Sequence, residues 1–264
     1  MIALSVTGIG IATPGLRDWD AARLVLTGAA AYAEAPLEHR APDALPAAER
    51  RRAGAVTRLA LAVAQEAVAR AGADGATLAS VFASADGDAD NLHQICTALA
   101  APAPEISPTR FHNSVQNAPS GYWTIAMQAR APTTAVNGLD AVFSAGLLEA
   151  AVQAATEERA VLLVAFDLPS PEPLLALHPC ASGGAVALVL APDATGPKLE
   201  RDVVASGDAP VTPMPEPSLE RLRVAGTAMR ALPLLRALAR AQGSTTVLEL
   251  DDANSLRIAV RGER

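Results

Sequence analysis

The sequence predicts a layered α/β protein with a partly parallel sheet. Apolar, strand-like segments alternate with segments of helical spacing, and this alternation is typical of strands joined by packed helices. Half of the 264 residues are hydrophobic but only 3% are aromatic, so Ala, Val and Leu must fill the core. A chain of this length is able to bury one large domain or two modest ones.

Most of the alternation lies in the first two thirds of the chain. The predicted strands there cover residues 2–11, 81–84, 134–136, 160–166 and 182–190. The predicted helices cover residues 18–26, 47–71, 89–99, 122–129 and 142–156, and a proline-rich loop covers 36–46. Local signals support these bounds, because Gly72 follows a helical apolar pattern and Asp88 is placed to cap the helix that follows it.

The last third of the chain has a different composition. Prolines stand at 197, 210, 213, 215 and 217, and a helical pattern then runs over residues 218–240. Pro233 is expected to break or kink that helix, because proline removes a backbone donor. Residues 245–250 and 256–260 predict an antiparallel hairpin that closes a sheet.

The net charge, the N-terminal segment and the spacing of cysteines and histidines argue against several classes of protein. The net charge is −7 and no basic stripe is present, which argues against a nucleic-acid partner. No secretory leader or membrane-length apolar run is visible, so a cytoplasmic protein is expected. Two distant cysteines and four scattered histidines show no metal-ligand spacing, and no metal or cofactor is expected. Gly8-Ile9-Gly10 lacks the third small residue of a dinucleotide fingerprint.

The segment from Ser107 to Ala141 carries a family resemblance. It combines Ser107-Pro108 and an Asn-rich stretch with a helix, and then a strand that contains Ala135-Val136 and ends in a turn. This pattern resembles the ketosynthase family of the thiolase fold. The resemblance implies a thiolase-like layered fold whose N-terminal half, residues 1–192, is complete with a mixed five-stranded sheet. Residues 193–264 are then a strongly shortened C-terminal half, packed on the first as one compact unit.

The same resemblance places Asp140 on the family's nucleophilic cysteine. It also leaves the two catalytic histidines of the family without candidates, because no histidine follows His178. A condensing enzyme needs a thiolate to accept the acyl chain and donors to stabilise an enolate. A carboxylate is a poor thioester acceptor, and its charge opposes the enolate. No condensation by this chain alone is therefore expected.

A member of this family that lacks the cysteine and pairs with an active ketosynthase is known as a chain-length factor, and such members are found in type II polyketide and aryl polyene systems. The resemblance therefore implies a heterodimer with an active ketosynthase, which acts on acyl carrier protein while this subunit walls part of the acyl tunnel. The strand before the nucleophile position is expected to pair edge to edge with the partner, and the Asn-rich helix to face its tunnel. The candidate residues are Val115, Ala118, Pro119, Tyr122, Trp123, Thr133, Thr134, Ala135 and Val136.

Several alternatives remain open from the sequence. Asp140 is either a general base or, more in keeping with its place before a helix, a buried or capping carboxylate that also pairs with an arginine. Cys180 with His178 is either a nucleophile and base or a small surface-loop cysteine. Tyr122 and Trp123 are either core or interface anchors. The competing functions are an acyl-thioester hydrolase or decarboxylase that uses Asp140 or Cys180, and a homodimeric acyl-binding scaffold.

Overall fold

A computed structural model describes residues 3–38, 42–177, 180–192, 194–206, 208–241 and 243–262. The strands are β1 (Ala3–Ala12), β2 (Ala79–Ala83), β3 (Thr133–Val136), β4 (Val161–Asp167), β5 (Gly184–Ala191), β6 (Lys198–Ala205), β7 (Ser244–Glu249) and β8 (Asn254–Arg261). The helices are α1 (Trp19–Thr27), α2 (Ala47–Arg52), α3 (Ala55–Ala71), α4 (Ala89–Leu99), α5 (Pro108–Asn113), α6 (Ala118–Met127), α7 (Val142–Thr156), α8 (Leu174–Leu177), α9 (Pro217–Ala225) and α10 (Leu232–Arg240). Two 3-10 helices cover Leu139–Ala141 and Ala228–Ala231.

The eight strands of the described residues form one mixed sheet in the order β3-β2-β4-β5-β1-β6-β8-β7. β3, β2 and β4 run parallel, and the other neighbours are antiparallel. The mixed arrangement predicted for the first half is present, but the count of five strands is wrong for the sheet as a whole. β6, β8 and β7 continue the sheet, because β1 pairs with β5 along one edge over Ser5–Ala12 and with β6 along its other edge over Ala3–Ser5.

The sheet separates two apolar cores, and this gives the thiolase-like layering. On one face, Leu162 and Val164 of β4 pack in a core with α3 and α6. On the other face, Leu163 lies in a core with α7 and α10. α10 also packs against β7 and β8, so the sheet wraps around this helical layer. Because both faces of β4 are covered, its sequence is a continuous apolar run in which apolar and polar residues do not alternate.

Two predicted helices are interrupted by glycine. The helix predicted over 47–71 breaks between α2 and α3 because Ala53 and Gly54 are extended. A Cβ at Gly54 would lie 2.4 Å from Oδ2 of Asp88, so a larger residue there would displace this carboxylate. In the helix predicted over 218–240, the chain leaves α9 at the extended Gly226. Pro233 does not make the break, because it sits in the first turn of α10, where proline is tolerated.

Other predicted elements agree closely with the structure. α7 has the predicted bounds, and the C-terminal hairpin of β7 and β8 is antiparallel. α6 begins four residues earlier than predicted, with Pro119 in its first turn. None of the helices in the described part of the chain combines the length and the apolar character that a membrane crossing requires.

The two glycines of the Gly8-Ile9-Gly10 segment let α3 lie directly on β1. A Cβ at Gly10 would be 2.1 Å from the carbonyl oxygen of Val63, and one at Gly8 would be 2.0 Å from that of Ala67. Both obstacles are backbone atoms, which cannot rotate away. The segment therefore serves strand-to-helix packing.

Replacing Gly10 by alanine is expected to lower the free energy of unfolding by about 3 kcal/mol, because the new methyl group overpacks the contact between β1 and α3. Gly121 is a matched control, since it lies in α6 and its Cβ would meet no atom within 4 Å. Gly121→Ala is expected to raise stability by about 1 kcal/mol. Urea unfolding of both variants measures the contrast, and equal effects would contradict the packing argument.

Candidate functional site

Three loops meet where the parallel strands β2, β3 and β4 end. They comprise residues 84–88 after β2, 137–140 after β3 and 167–170 at the end of β4. Parallel strands bring their carboxyl ends to one edge of a sheet, and functional residues of α/β proteins collect there. The turn after β3 also carries Asp140, so this edge is the candidate functional site.

Asp167 joins these loops through hydrogen bonds. Its buried carboxylate accepts from the hydroxyl of Ser84 at 2.7 Å and from the N–H of Ala85 at 3.0 Å. The hydroxyl of Thr227, from the C-terminal part of the chain, donates to the other oxygen. One carboxylate thus holds β4, the loop after β2 and the segment before α10 together.

Burial determines the protonation of Asp167. Desolvation raises the pKa of its carboxyl from 3.8 to about 6, although hydrogen bonds from Thr227, Ser84 and the loop amides act in the opposite direction. The penalty for burying a charge therefore exceeds the stabilisation that the donors provide.

Two amide side chains bind the loop after β2, and one of them, Asn137, also fixes the turn that follows β3. Asn137 donates from Nδ2 to the carbonyl oxygen of Ala85 at 2.6 Å, and its Oδ1 accepts from the N–H of Leu139 at 3.2 Å. Gln116 donates to the carbonyl oxygen of Ser84 at 2.9 Å. The turn is therefore attached to the loop after β2 through side chains.

Asp140 lies on the surface of this turn. Its side chain is 61% exposed, and its Oδ2 lies 3.8 Å from Nη2 of Arg230. The expected arginine pair is confirmed, but the expectation of a buried or capping carboxylate is wrong, because no side-chain cap is formed at the start of α7.

A chain of ion pairs continues from Arg230 into the C-terminal part. Arg230 donates to Glu249 of β7 at 2.8 Å, and Arg223 of α9 donates to the same oxygen at 2.6 Å. Arg223 also makes a double contact with Glu220 at 2.9 Å and 2.8 Å. Asp140 is thus linked electrostatically to α9 and β7, and both belong to the C-terminal part of the chain.

Cys180 is a core residue, and the expectation of a surface-loop cysteine is wrong. Its side chain is 1% exposed. Burial, and next the nearby Asp167 carboxylate, raise the pKa of the thiol to about 11. A thiol with such a pKa is protonated near neutral pH and is a weak nucleophile. His178, the base proposed for it, lies outside the described residues.

Most of the predicted helix residues lie in the core. Tyr122 and Trp123 are fully buried, and the Tyr122 hydroxyl donates to Asn113 at 3.0 Å. Their side chains are therefore core anchors and present no surface to a partner. Ala118 and Pro119 are buried as well, whereas Val115 is 53% exposed.

β3, by contrast, forms an edge of the sheet. Thr133 and Ala135 are exposed, while Thr134 and Val136 are half-buried. The opposite edge is covered, since Thr212 and Val247 of β7 exchange hydrogen bonds, each of 2.9 Å. Prolines on both sides of Thr212 prevent regular pairing there. Among the described residues, β3 is the edge that no other segment pairs with.

Asp167, Ser84, Thr227, Gln116 and Asn137 were not predicted as site residues. Asp167 alone had a visible signal, because a lone carboxylate ends an otherwise apolar strand. The others have partners that lie between about thirty and eighty positions away in sequence, and no local pattern indicates such contacts.

The fold and the turn after β3 define a thiolase-like α/β protein. The family model described as "Beta-ketoacyl synthase, N-terminal domain" matches residues 19–245. The chain belongs to this β-ketoacyl synthase family. No curated protein matches the chain by sequence.

Solved structures share the fold over almost the whole chain. One is a complex of the ketosynthase ApeO with its chain length factor ApeC from Xenorhabdus doucetiae, with 23% identity, a TM-score of 0.74, and 98% of this chain and 100% of that chain covered. The ishigamide ketosynthase/chain length factor has 12% identity and a TM-score of 0.74, with 99% and 100% covered. The complex of AntDE with the acyl carrier protein AntF has 12% identity and a TM-score of 0.77, with 99% of each chain covered.

Asp167 is expected to make stability depend on pH. Its folded pKa of about 6 exceeds the ordinary 3.8, so the folded state binds the proton more tightly. The stability that this group contributes is full below about pH 4 and is lost as the pH rises through 6, by about 3 kcal/mol. Asp167→Asn removes this dependence, and urea unfolding between pH 4 and pH 7 measures it.

The control for the loss of one negative charge is Asp74→Asn, in an exposed turn. A constant difference in stability between the wild type and Asp167→Asn across the pH range would show that Asp167 does not titrate there.

Proposed function

We propose that this chain is a non-catalytic chain-length-factor subunit that forms a heterodimer with an active β-ketoacyl synthase. The observation that carries the proposal is the edge of β3, which no other described segment pairs with and which leads directly into the turn of Asp140. Asp140 is proposed to stand at the family's nucleophile position. Similar folds occur in complexes of a ketosynthase with a chain length factor.

The backbone of β3 is suited to pairing with a second strand. The carbonyl oxygens of Pro132 and Val136 accept from the N–H groups of Ser80 and Ser84 in and after β2. Backbone groups of alternate residues point to opposite sides of a strand, so those of Thr133 and Ala135 point away from the sheet. An unpaired edge of this kind is a template for strand addition.

The chemistry of the turn supports a non-catalytic role. Asp140 carries a carboxylate where the family uses a thiolate, and it lies beside Arg230. A carboxylate held by an arginine is a weak nucleophile towards a thioester. The condensations are then carried out by the partner on an acyl chain delivered by acyl carrier protein, in polyketide or aryl polyene synthesis.

The proposed tunnel wall is the segment that precedes α6. Val115 is the exposed member of the predicted set on this segment, so it is the residue whose bulk is proposed to limit the growing chain. Thr133, Thr134, Ala135 and Val136 form the proposed contact with the partner. Residues 1–192 and 193–264 are proposed to act as one compact cytoplasmic unit in the complex.

Ala135→Pro is expected to weaken the affinity for the ketosynthase at least about tenfold or to abolish assembly. The reason is that proline removes an N–H that points to the open edge. The bonds from β3 to β2 remain, so the chain keeps its fold. Co-expression with a ketosynthase, followed by size-exclusion chromatography, measures assembly.

Ala135→Ser retains the N–H and serves as the matched control. A proline variant that assembles normally would exclude pairing through β3. A stable dimer of the chain with itself would instead favour the homodimeric scaffold.

Val115→Trp is expected to shorten the product by one or more extension units when the partner is present, since the larger side chain fills part of the tunnel. Val203→Trp is the control, because Val203 is comparably exposed but lies on β6. Mass spectrometry of the products measures chain length. Products of wild-type length from Val115→Trp would contradict the proposal that Val115 lines the tunnel.

A further inference from the structure

Leu139 has a backbone conformation that residues with side chains rarely adopt. Its φ is +48°, in the left-handed region, and it lies between the end of β3 and the start of α7. A Cβ in this region approaches the following carbonyl oxygen, so glycine or asparagine is the usual occupant. A branched apolar residue here is held against its local preference.

The surrounding contacts enforce this conformation. The N–H of Leu139 donates to Asn137, whose amide is in turn bound to the loop after β2. The N–H of Ala141 donates to the carbonyl oxygen of Gly138 at 2.9 Å. A Cβ at Gly138 would lie 2.8 Å from the Cβ of Ala145, so α7 is packed directly against the turn.

The side chain of Leu139 is only partly covered by its own chain. It is 53% exposed, and the residues around it in the turn are polar or small. Glycine would relieve the backbone strain, and asparagine would also suit the exposure to water. The backbone strain and the exposure of an apolar side chain are both offset if another molecule buries the leucine.

We infer that Leu139 inserts into an apolar pocket of the partner ketosynthase. This inference rests on the proposed heterodimer, and it adds a contact that the proposal does not contain. Leu139 lies three residues beyond the open edge of β3, so a subunit paired with β3 extends over the turn. In catalytic strand-to-helix elbows, a strained turn exposes the nucleophile. In this chain the strained turn would instead expose an apolar side chain that binds the partner.

The test compares Leu139→Gly and Leu139→Asn with the wild type. Both variants are expected to keep or raise the melting temperature of the isolated chain, because both residues tolerate the left-handed conformation. Both are expected to bind the ketosynthase subunit roughly tenfold or more weakly, because a buried leucine is lost. Leu139→Met keeps an apolar side chain and is expected to bind within about threefold of the wild type.

Glu158→Gly is the matched control for strain. Glu158 has a φ of +50° and follows the other end of α7, where it is exposed. Its replacement relieves the same backbone strain and is expected to leave the affinity for the ketosynthase unchanged.

Calorimetric titration with the ketosynthase subunit that binds the wild type separates the outcomes. Wild-type affinity in Leu139→Gly and Leu139→Asn would overturn the contact while the heterodimer stands. Unchanged affinity with altered product length would assign Leu139 to the acyl chain and would also overturn the contact. A wild-type chain that binds no ketosynthase would overturn the heterodimer, and the inference with it.

Discussion

The buried carboxylate of Asp167 is the constraint on which the candidate site depends. It ends the central strand β4 and accepts hydrogen bonds from the loop after β2 and from Thr227. Since β3 and its turn are attached to the same loop through Asn137, the geometry of the turn depends indirectly on Asp167. The C-terminal part of the chain is linked to the sheet edge by Thr227, so it helps to fix the site.

The two edges of the sheet differ in whether another segment of the chain binds to them. At β7, a proline-flanked segment binds the strand through Thr212, which prevents further strand addition. At β3, the backbone groups of Thr133 and Ala135 have no such cover among the described residues. This asymmetry gives the chain one surface for a partner strand. It agrees with a subunit that assembles in pairs, because a single open edge does not propagate into a fibre.

The turn between β3 and α7 is a short strand-to-helix connection with one residue in the left-handed backbone region. Leu139 occupies the strained position and Asp140 stands next to it, paired with Arg230. Two amide side chains fix the loops around it, and Cys180 is buried with its thiol protonated.

The sequence by itself determined the fold class, most of the strands and helices, and the family. These follow from apolar periodicity, local turn residues and one motif segment, all of which act over short distances. It also placed Asp140 and β3 correctly beside each other. The tertiary structure alone decided that the sheet has eight strands, that Tyr122, Trp123 and Cys180 are buried, and that Asp140 is exposed. Burial and long-range hydrogen bonds depend on residues dozens of positions apart, so no local pattern determines them.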